Sequence, residues 1–203
     1  MILSQDYLSI HAKELKLSSD IKKFAVEQSA ILNENQRLAN SQNTLEPGEK
    51  TYDIFLSHSS LDNQLVLSLV DLFNKANFSV YVDWIEDTEL DRNNVTPLTA
   101  EILRERMVNS SGLAYVSTSN ISDSRWCPWE LGYFDGNKNG RCAILPIMKS
   151  PFKGQEYLGL YPYIDYQANQ RGKDCFWVND PNDSSAYIEL HRWLQGEELF
   201  SHK

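Results

Sequence analysis

The sequence predicts an α/β fold, a parallel sheet with helices on both faces, preceded by a helical extension. Two observations carry this. Short runs rich in strand-forming residues alternate with longer segments whose apolar residues recur at helical spacing, the order expected of βαβ units. And residues 1 to about 42 contain neither glycine nor proline, after which a Pro-Gly pair and a new pattern begin.

The extension comes first. Leu3, Ile10, Leu17, Phe24, Ile31 and Leu38 recur every seven residues, which suits one stripe of a long helix or helical pair. The companion heptad positions, Tyr7, Glu14, Ile21, Gln28 and Asn35, are mostly polar. That favours a helix packing on its own domain, or a modest dimer contact, over a sustained coiled coil. SQNTLEPGEK (41–50) reads as a linker. Residues 1–45 are therefore assigned to the extension and linker, and 46–203 to the main domain with its closing helix.

The strands and helices then follow in turn. YDIFLS (52–57) is a strand, and LDNQLVLSLVDLFNKAN (61–77) a helix with Leu65, Leu69, Leu72, Phe73 and Ala76 on one side. SVYVDW (79–84) is a second strand. After a polar loop, PLTAEILRERMVNS (97–110) is a helix with Pro97 early and Thr96 as its cap. GLAYVST (112–118) and RCAILPIM (141–148) are strands, with a helix starting near Cys127 between them. YPYIDYQ (161–167) is a short fifth strand, and SAYIELHRWLQ (185–195) the closing helix. Right-handed crossovers place helices on both faces. Ligands of such sheets sit beyond the carboxyl ends of the strands. Here those ends are Ser57-His58, Asp83-Trp84 and Ser117-Thr118.

Composition narrows the function. A formal net charge of -9 argues against nucleic acid and against an anionic membrane surface as partners. No apolar run approaches the ~18 residues of a membrane span, and the first residues lack a signal peptide's layout. Three cysteines with no CxxC pair suit reduced thiols in a cytoplasmic protein and predict no metal site.

Three stretches invite chemistry. In RWCPWELGYFDG (125–136), Trp126 and Glu130 lie four apart and share a helix face. A helix starting near Cys127 puts Glu130 in its first turn, where the dipole favours a charged carboxylate. The stretch reads equally as an ordinary helix opening with core tryptophans. As a site, it offers a lone carboxylate among rings. That suits cleavage of an N-glycosidic bond whose leaving base is already cationic, where the carboxylate stabilises an oxocarbenium-like sugar. In DIFLSHSSLD, Asp53, Ser57 and His58 suggest a hydrolase triad. No G-x-S-x-G elbow is present, however, and the residues lie too close along one strand to face one another. A polar strand end binding a ligand and helix capping by Ser59 or Ser60 both remain open. VDWIEDTELDR crowds Asp83, Glu86, Asp87, Glu89 and Asp91 without the glycine of a calcium loop. It reads as a solvated acidic loop, with Trp84 available to stack on a base or a partner.

In their order and spacing, three blocks resemble a Toll/interleukin-1 receptor (TIR) domain of the stand-alone bacterial kind, such as those of Thoeris-type anti-phage systems. They are YDIFLSHSSLDNQLVLSLVDLF, FSVYVDWIEDTELDRNNVTPLTAEILRERM and SRWCPWELGYFDG, the last holding a W-x-x-x-E motif at Trp126 and Glu130. With CAILPIM the match runs from about 51 to 170. The resemblance implies a flavodoxin-like parallel sheet of about five strands. It also implies NAD cleavage to nicotinamide and an ADP-ribose-derived signal that acts on a separate effector. NAD is then a substrate, and no resident cofactor is implied. The family's catalytic glutamate falls on Glu130, while Ser57, His58, Asp83 and Trp84 fall where the family lines its NAD pocket, with Trp126 assigned beside them. The family also includes scaffolds that bind one another, so self-association through TIR surfaces or the N-terminal helix is expected. A non-enzymatic interaction module using loop 85–94 and the N-terminal helix as contact surfaces is the alternative, and a nucleoside or deoxynucleotide glycosyl transferase a variant within the enzyme class. The second block lacks the glycine often found in the family's BB loop. The N-terminal helix, the tail beyond about 170 and its strand-like CFWV lie outside the resemblance.

Overall fold

A computed structural model of the chain describes residues 3–14, 50–87, 96–121, 124–147 and 156–202. Its elements in chain order are α1 (Gln5–Glu14), β1 (Tyr52–Ser57), a 3-10 turn (Ser60–Asp62), α2 (Asn63–Lys75), β2 (Val80–Tyr81), the one-turn α3 (Asp83–Glu86), α4 (Pro97–Val108), β3 (Ser110–Ser117), α5 (Trp126–Asn137), β4 (Cys142–Pro146), a second 3-10 turn (Glu156–Leu160), β5 (Tyr163–Ala168), β6 (Asp174–Asn179), β7 (Ala186–Glu189), α6 (Leu190–Leu194) and β8 (Phe200–Ser201).

Among the described residues, one sheet holds all the strands in the order β2-β1-β3-β4-β5-β6-β7-β8. The first five are mutually parallel, and 2-1-3-4-5 is the flavodoxin-like order. The last three continue the sheet antiparallel. The parallel core is therefore the predicted one, and the segment beyond residue 170 adds an antiparallel flap to it.

Alternation along each strand builds two cores. Ile54, Leu56, Ala114, Val116, Ala143 and Leu145 face α1 and α2, meeting Leu8, Val66, Leu69 and Phe73. Phe55, Leu113, Tyr115, Cys142 and Ile144 face α4 and α5, meeting Leu103, Met107, Leu131 and Phe134. Tyr52 joins the second core although Ile54, two residues on, joins the first. At this start of the strand the N–H groups of Asp53 and Ile54 both donate to Ser79 O.

Three sequence readings change, and the strand-like CFWV holds. SVYVDW pairs only at Val80–Tyr81, and Asp83–Glu86 coils into a helical turn. Its i→i+4 bond runs from Asp87 N to Asp83 O. The predicted closing helix 185–195 splits into β7 and the short α6. Ala186 and Ile188 are buried and Tyr187 and Glu189 half-buried, a period of two that outweighs helical spacing once β6 offers an edge. CFWV, outside the resemblance, is the centre of β6. In the extension, the heptad stripe is divided: Leu3 is buried in the core but Ile10 is 56% exposed, and Leu8 and Ala12 form the buried side of α1. They pack α1 on α2, where Ser68 Oγ donates to Leu8 O and His11 meets Asp71 at 2.7 Å. Leu17, Phe24, Ile31 and Leu38 lie outside the described residues, as does 88–95 of the acidic loop.

Candidate active site

The strand order reverses between β1 and β3, and the crevice beyond their carboxyl ends is the ligand position of such sheets. Ser57 ends β1 opposite Tyr115 of β3. Its hydroxyl is fully buried and donates to Glu130 Oε2 at 2.6 Å. Two residues 73 apart in sequence thus meet at the switch point.

Glu130 reaches this spot because of how α5 begins. The helix starts at Trp126, one residue before the predicted position. Pro128 is then its third residue, where a missing N–H costs no helical bond. Ser124 Oγ accepts the Cys127 N–H, satisfying a first-turn donor. The Cys127 thiol in turn donates to His58 O at 3.2 Å and pins the helix start to the end of β1. Glu130 is the fifth helical residue, in the second turn rather than the first. The dipole argument therefore loses most of its force, since that effect fades beyond the first turn. The Ser57 hydroxyl is one group that holds the carboxylate. Glu130 is 0% exposed, so a substrate reaches it only after this wall opens.

His58 ties in the next element. The Trp84 indole N–H, which can only donate, meets His58 Nε2 at 3.0 Å. Nε2 is therefore the acceptor and Nδ1 carries the proton, which goes to Leu56 O at 2.8 Å. Asp83 Oδ1 lies 3.6 Å from the same Nε2. Ser57, His58, Asp83, Trp84 and Glu130 thus form one contiguous group. Asp83 and Trp84 enter it from a helical turn instead of a strand end. Trp126 sits on the helix of Glu130, half-buried, with its ring 5.4 Å from Trp129. Trp129 stacks on Tyr133, and the Arg104 guanidinium of α4 lies 5.6 Å from the Trp129 ring centre. Several rings of RWCPWELGYFDG therefore join α5 to α4.

The remaining suspects are structural. Asp53 accepts Ser79 N and Ser79 Oγ near the far end of β1, away from any triad geometry. Ser59 caps the 3-10 turn through Leu61 N. Two residues of the acidic loop are tied inward rather than solvated. Glu86 accepts Lys50 Nζ and Tyr52 Oη. Asp87 takes a paired bond from Arg106 at 3.0 Å and one from Tyr81 Oη. Burial pushes the Asp87 carboxyl up, but the Arg106 and Tyr81 bonds outweigh it and hold it below its ordinary value. Burial, then the Glu86 charge, raises the Tyr52 hydroxyl. Burial, then the Asp87 charge, does the same to Tyr81.

Sequence reasoning missed a second polar group at the crevice. Asp62 accepts Thr118 Oγ and Asn120 Nδ2, each at 2.6 Å. The available signals were a carboxylate at the start of a helix and the strand end at Thr118; their meeting needs the β1–β3 pairing. An open groove of about 1050 Å³ lies elsewhere, on the bare face of β5–β8 along Tyr163, Trp177, Tyr187 and His202. None of the six predicted site residues lines it.

Residues 54–176 match the TIR domain family model, and the chain belongs to that family. A probable 3′ cyclic ADP-D-ribose synthase, ThsB′ of Bacillus cereus (strain MSX-D12), is 42% identical over 182 residues, covering 84% of this chain and 91% of that protein. A putative cyclic ADP-D-ribose synthase, TIR2 of Cytobacillus dafuensis, is 36% identical over 86 residues, 42% of this chain and 23% of that protein. The TIR domain of the Toll-related receptor TRR-2 of Hydra magnipapillata is 22% identical with a TM-score of 0.38, over 50% of this chain and 73% of that one. Among the described residues, no helix is long and apolar enough to cross a membrane.

Proposed function

We propose that this chain cleaves NAD, releasing nicotinamide and forming a cyclic ADP-ribose-type product, with Glu130 as the catalytic carboxylate. The observation that carries the reading is the position of Glu130, whose carboxylate is bonded to the last residue of β1 at the sheet's switch point. The names of the two bacterial relatives support the same chemistry.

The reaction asks little acid catalysis of the protein. The ribosyl C1–nitrogen bond breaks, its electron pair neutralises the pyridinium, and nicotinamide leaves without taking a proton. The demand is to stabilise the positive charge left on the sugar, and one carboxylate meets it. Capture by a hydroxyl of the same molecule closes a ring, whereas capture by water gives ADP-ribose. Either nucleophile releases its proton to solvent or to Glu130. Ser57 releases the carboxylate as a substrate hydroxyl replaces its bond. The product then acts as a signal for a separate effector in anti-phage immunity. In the scaffold alternative, Glu86 and Asp87 would add little to a contact surface, because both are held inward.

The test is nicotinamide release by purified protein over a range of concentrations, beside Glu130→Gln, with the product resolved by chromatography. A loss of about 100-fold or more in the variant is expected, the scale for removing one such electrostatic group. Equal rates in the two proteins would defeat the reading.

A further inference from the structure

We propose that Asp62 is a positioning residue for the reaction at Glu130, a role that rests on the reading just given. The ladder between β1 and β3 ends at Ser57 and Tyr115. Beyond it the two chains diverge into loops, and backbone pairing no longer fixes their separation. The loop after β3 leads directly into α5, so its position sets where Glu130 stands against the crevice.

Side chains take over where the ladder stops. Asp62, 7% exposed, accepts Thr118 Oγ through one carboxylate oxygen and Asn120 Nδ2 through the other. Thr118 Oγ also accepts the Asn120 N–H at 3.1 Å, which leaves its own proton directed at Asp62. Further along, Ser124 Oγ donates to Cys127 Sγ at 2.9 Å, and that thiol donates to His58 O. Ser57 then donates to Glu130. Segments 57–62 and 118–130 are thus joined at their outer edge by Asp62, midway by Cys127, and at the floor by Glu130 itself.

The chemistry of the outer joint is specific to a carboxylate. Both groups facing Asp62 are donors, so the position needs an acceptor at each oxygen. An amide there is almost the same shape, but it must turn its own NH2 toward one of the two donors. The Thr118 bond survives, while the Asn120 amide must turn over to present its oxygen to the new NH2, which shifts the loop that carries it. Exchanging the pair, with an amide at 62 and a carboxylate at 120, restores the bond in the reverse direction. Misplacing a reacting group by about 1 Å costs up to 100-fold in rate, so a loosened loop is expected to appear in kcat.

The experiment compares the intact chain with Asp62→Asn, Asp62→Ala and the double variant Asp62→Asn/Asn120→Asp. Nicotinamide-release kinetics and amide hydrogen exchange are measured on each. Asp62→Asn is expected to lower kcat about 10- to 100-fold with KM within about threefold, a loss made in the transition state. Amides 119–129 are expected to exchange at least about tenfold faster, with 176–178 of β6 unchanged. The double variant is expected to recover most of both. Should Asp62→Ala fail to fold, the near-isosteric pair still decides. If the unsubstituted chain is active and Asp62→Asn keeps kcat within twofold, or the double variant rescues nothing, the role is overturned. If the unsubstituted chain releases no nicotinamide, it is the catalytic reading that fails. Exchange then judges Asp62 alone: unchanged protection at 119–129 refutes the brace, and rescue by the exchanged pair upholds it.

Discussion

Removing the Ser57 hydroxyl tests the central contact of the site without assuming any activity. Ser57→Ala deletes the 2.6 Å donor to a fully buried Glu130. A hydrogen bond to a charged group contributes about 1.5–3 kcal/mol, against about 0.5–1.5 kcal/mol between neutral groups. The substitution is therefore expected to cost about 1.5–3 kcal/mol beside Glu130 and about 1 kcal/mol in a Glu130→Gln background, a coupling of about 1–2 kcal/mol. For a chain of this length that corresponds to a fall in Tm of roughly 3–12 °C for Ser57→Ala alone. Urea unfolding of the four proteins at pH 7, followed by tryptophan fluorescence, measures the cycle. A Ser57→Ala cost equal within about 0.3 kcal/mol in both backgrounds, the usual limit of additivity for independent sites, would refute a bond to a charged Glu130.

Three further outcomes follow from other contacts. Trp84→Phe removes the donor to His58 Nε2 and is expected to cost about 0.5–1.5 kcal/mol. Nitrogen NMR should show the Nδ1–H tautomer of His58 in the unsubstituted chain and its loss of preference in the variant; an Nε2–H form at the outset contradicts the assignment. Asp87 has a folded-state pKa below its ordinary value of 3.8. Its contribution is therefore fully present above that value and lost as pH falls through the lower, folded one. Asp87→Asn should be less stable near neutrality, and the gap should narrow below about pH 4; a gap independent of pH denies the Arg106 pairing its charge. Finally, a Cβ at Gly112 would collide with Leu194 Cδ2 of α6 and press on Trp193. Gly112→Ala is expected to lose about 1–3 kcal/mol by overpacking, and an unchanged melting curve would show that α6 yields freely.

The two classes of element differed in how much of them the sequence revealed. β1, β3 and β4 were legible as short, almost wholly buried runs of strand-forming residues, and Thr96 and Pro97 mark the start of α4 by local chemistry. The segment 185–195 was misread because four residues of alternating burial followed by a five-residue helix produce no clear period. Asp83 and Trp84 read as strand because apolar content cannot say where pairing stops. In the site, Glu130 and Trp126 were found through their spacing, Ser57 and His58 through the strand end. Asp62 stayed invisible, because its partners Thr118 and Asn120 lie more than fifty residues away.

By itself the sequence determined the alternation of strands and helices and the family, and it singled out Glu130 as the carboxylate to test. These depend on local spacing and on residue types, which a linear chain displays in full. Only the tertiary structure decided that the Glu130 carboxylate is closed over by Ser57, that one tautomer of His58 holds Trp84, and that acids 86 and 87 point inward. Each of those depends on which donor lies within about 3 Å of which acceptor, and strand order fixes that distance between residues the sequence sets far apart.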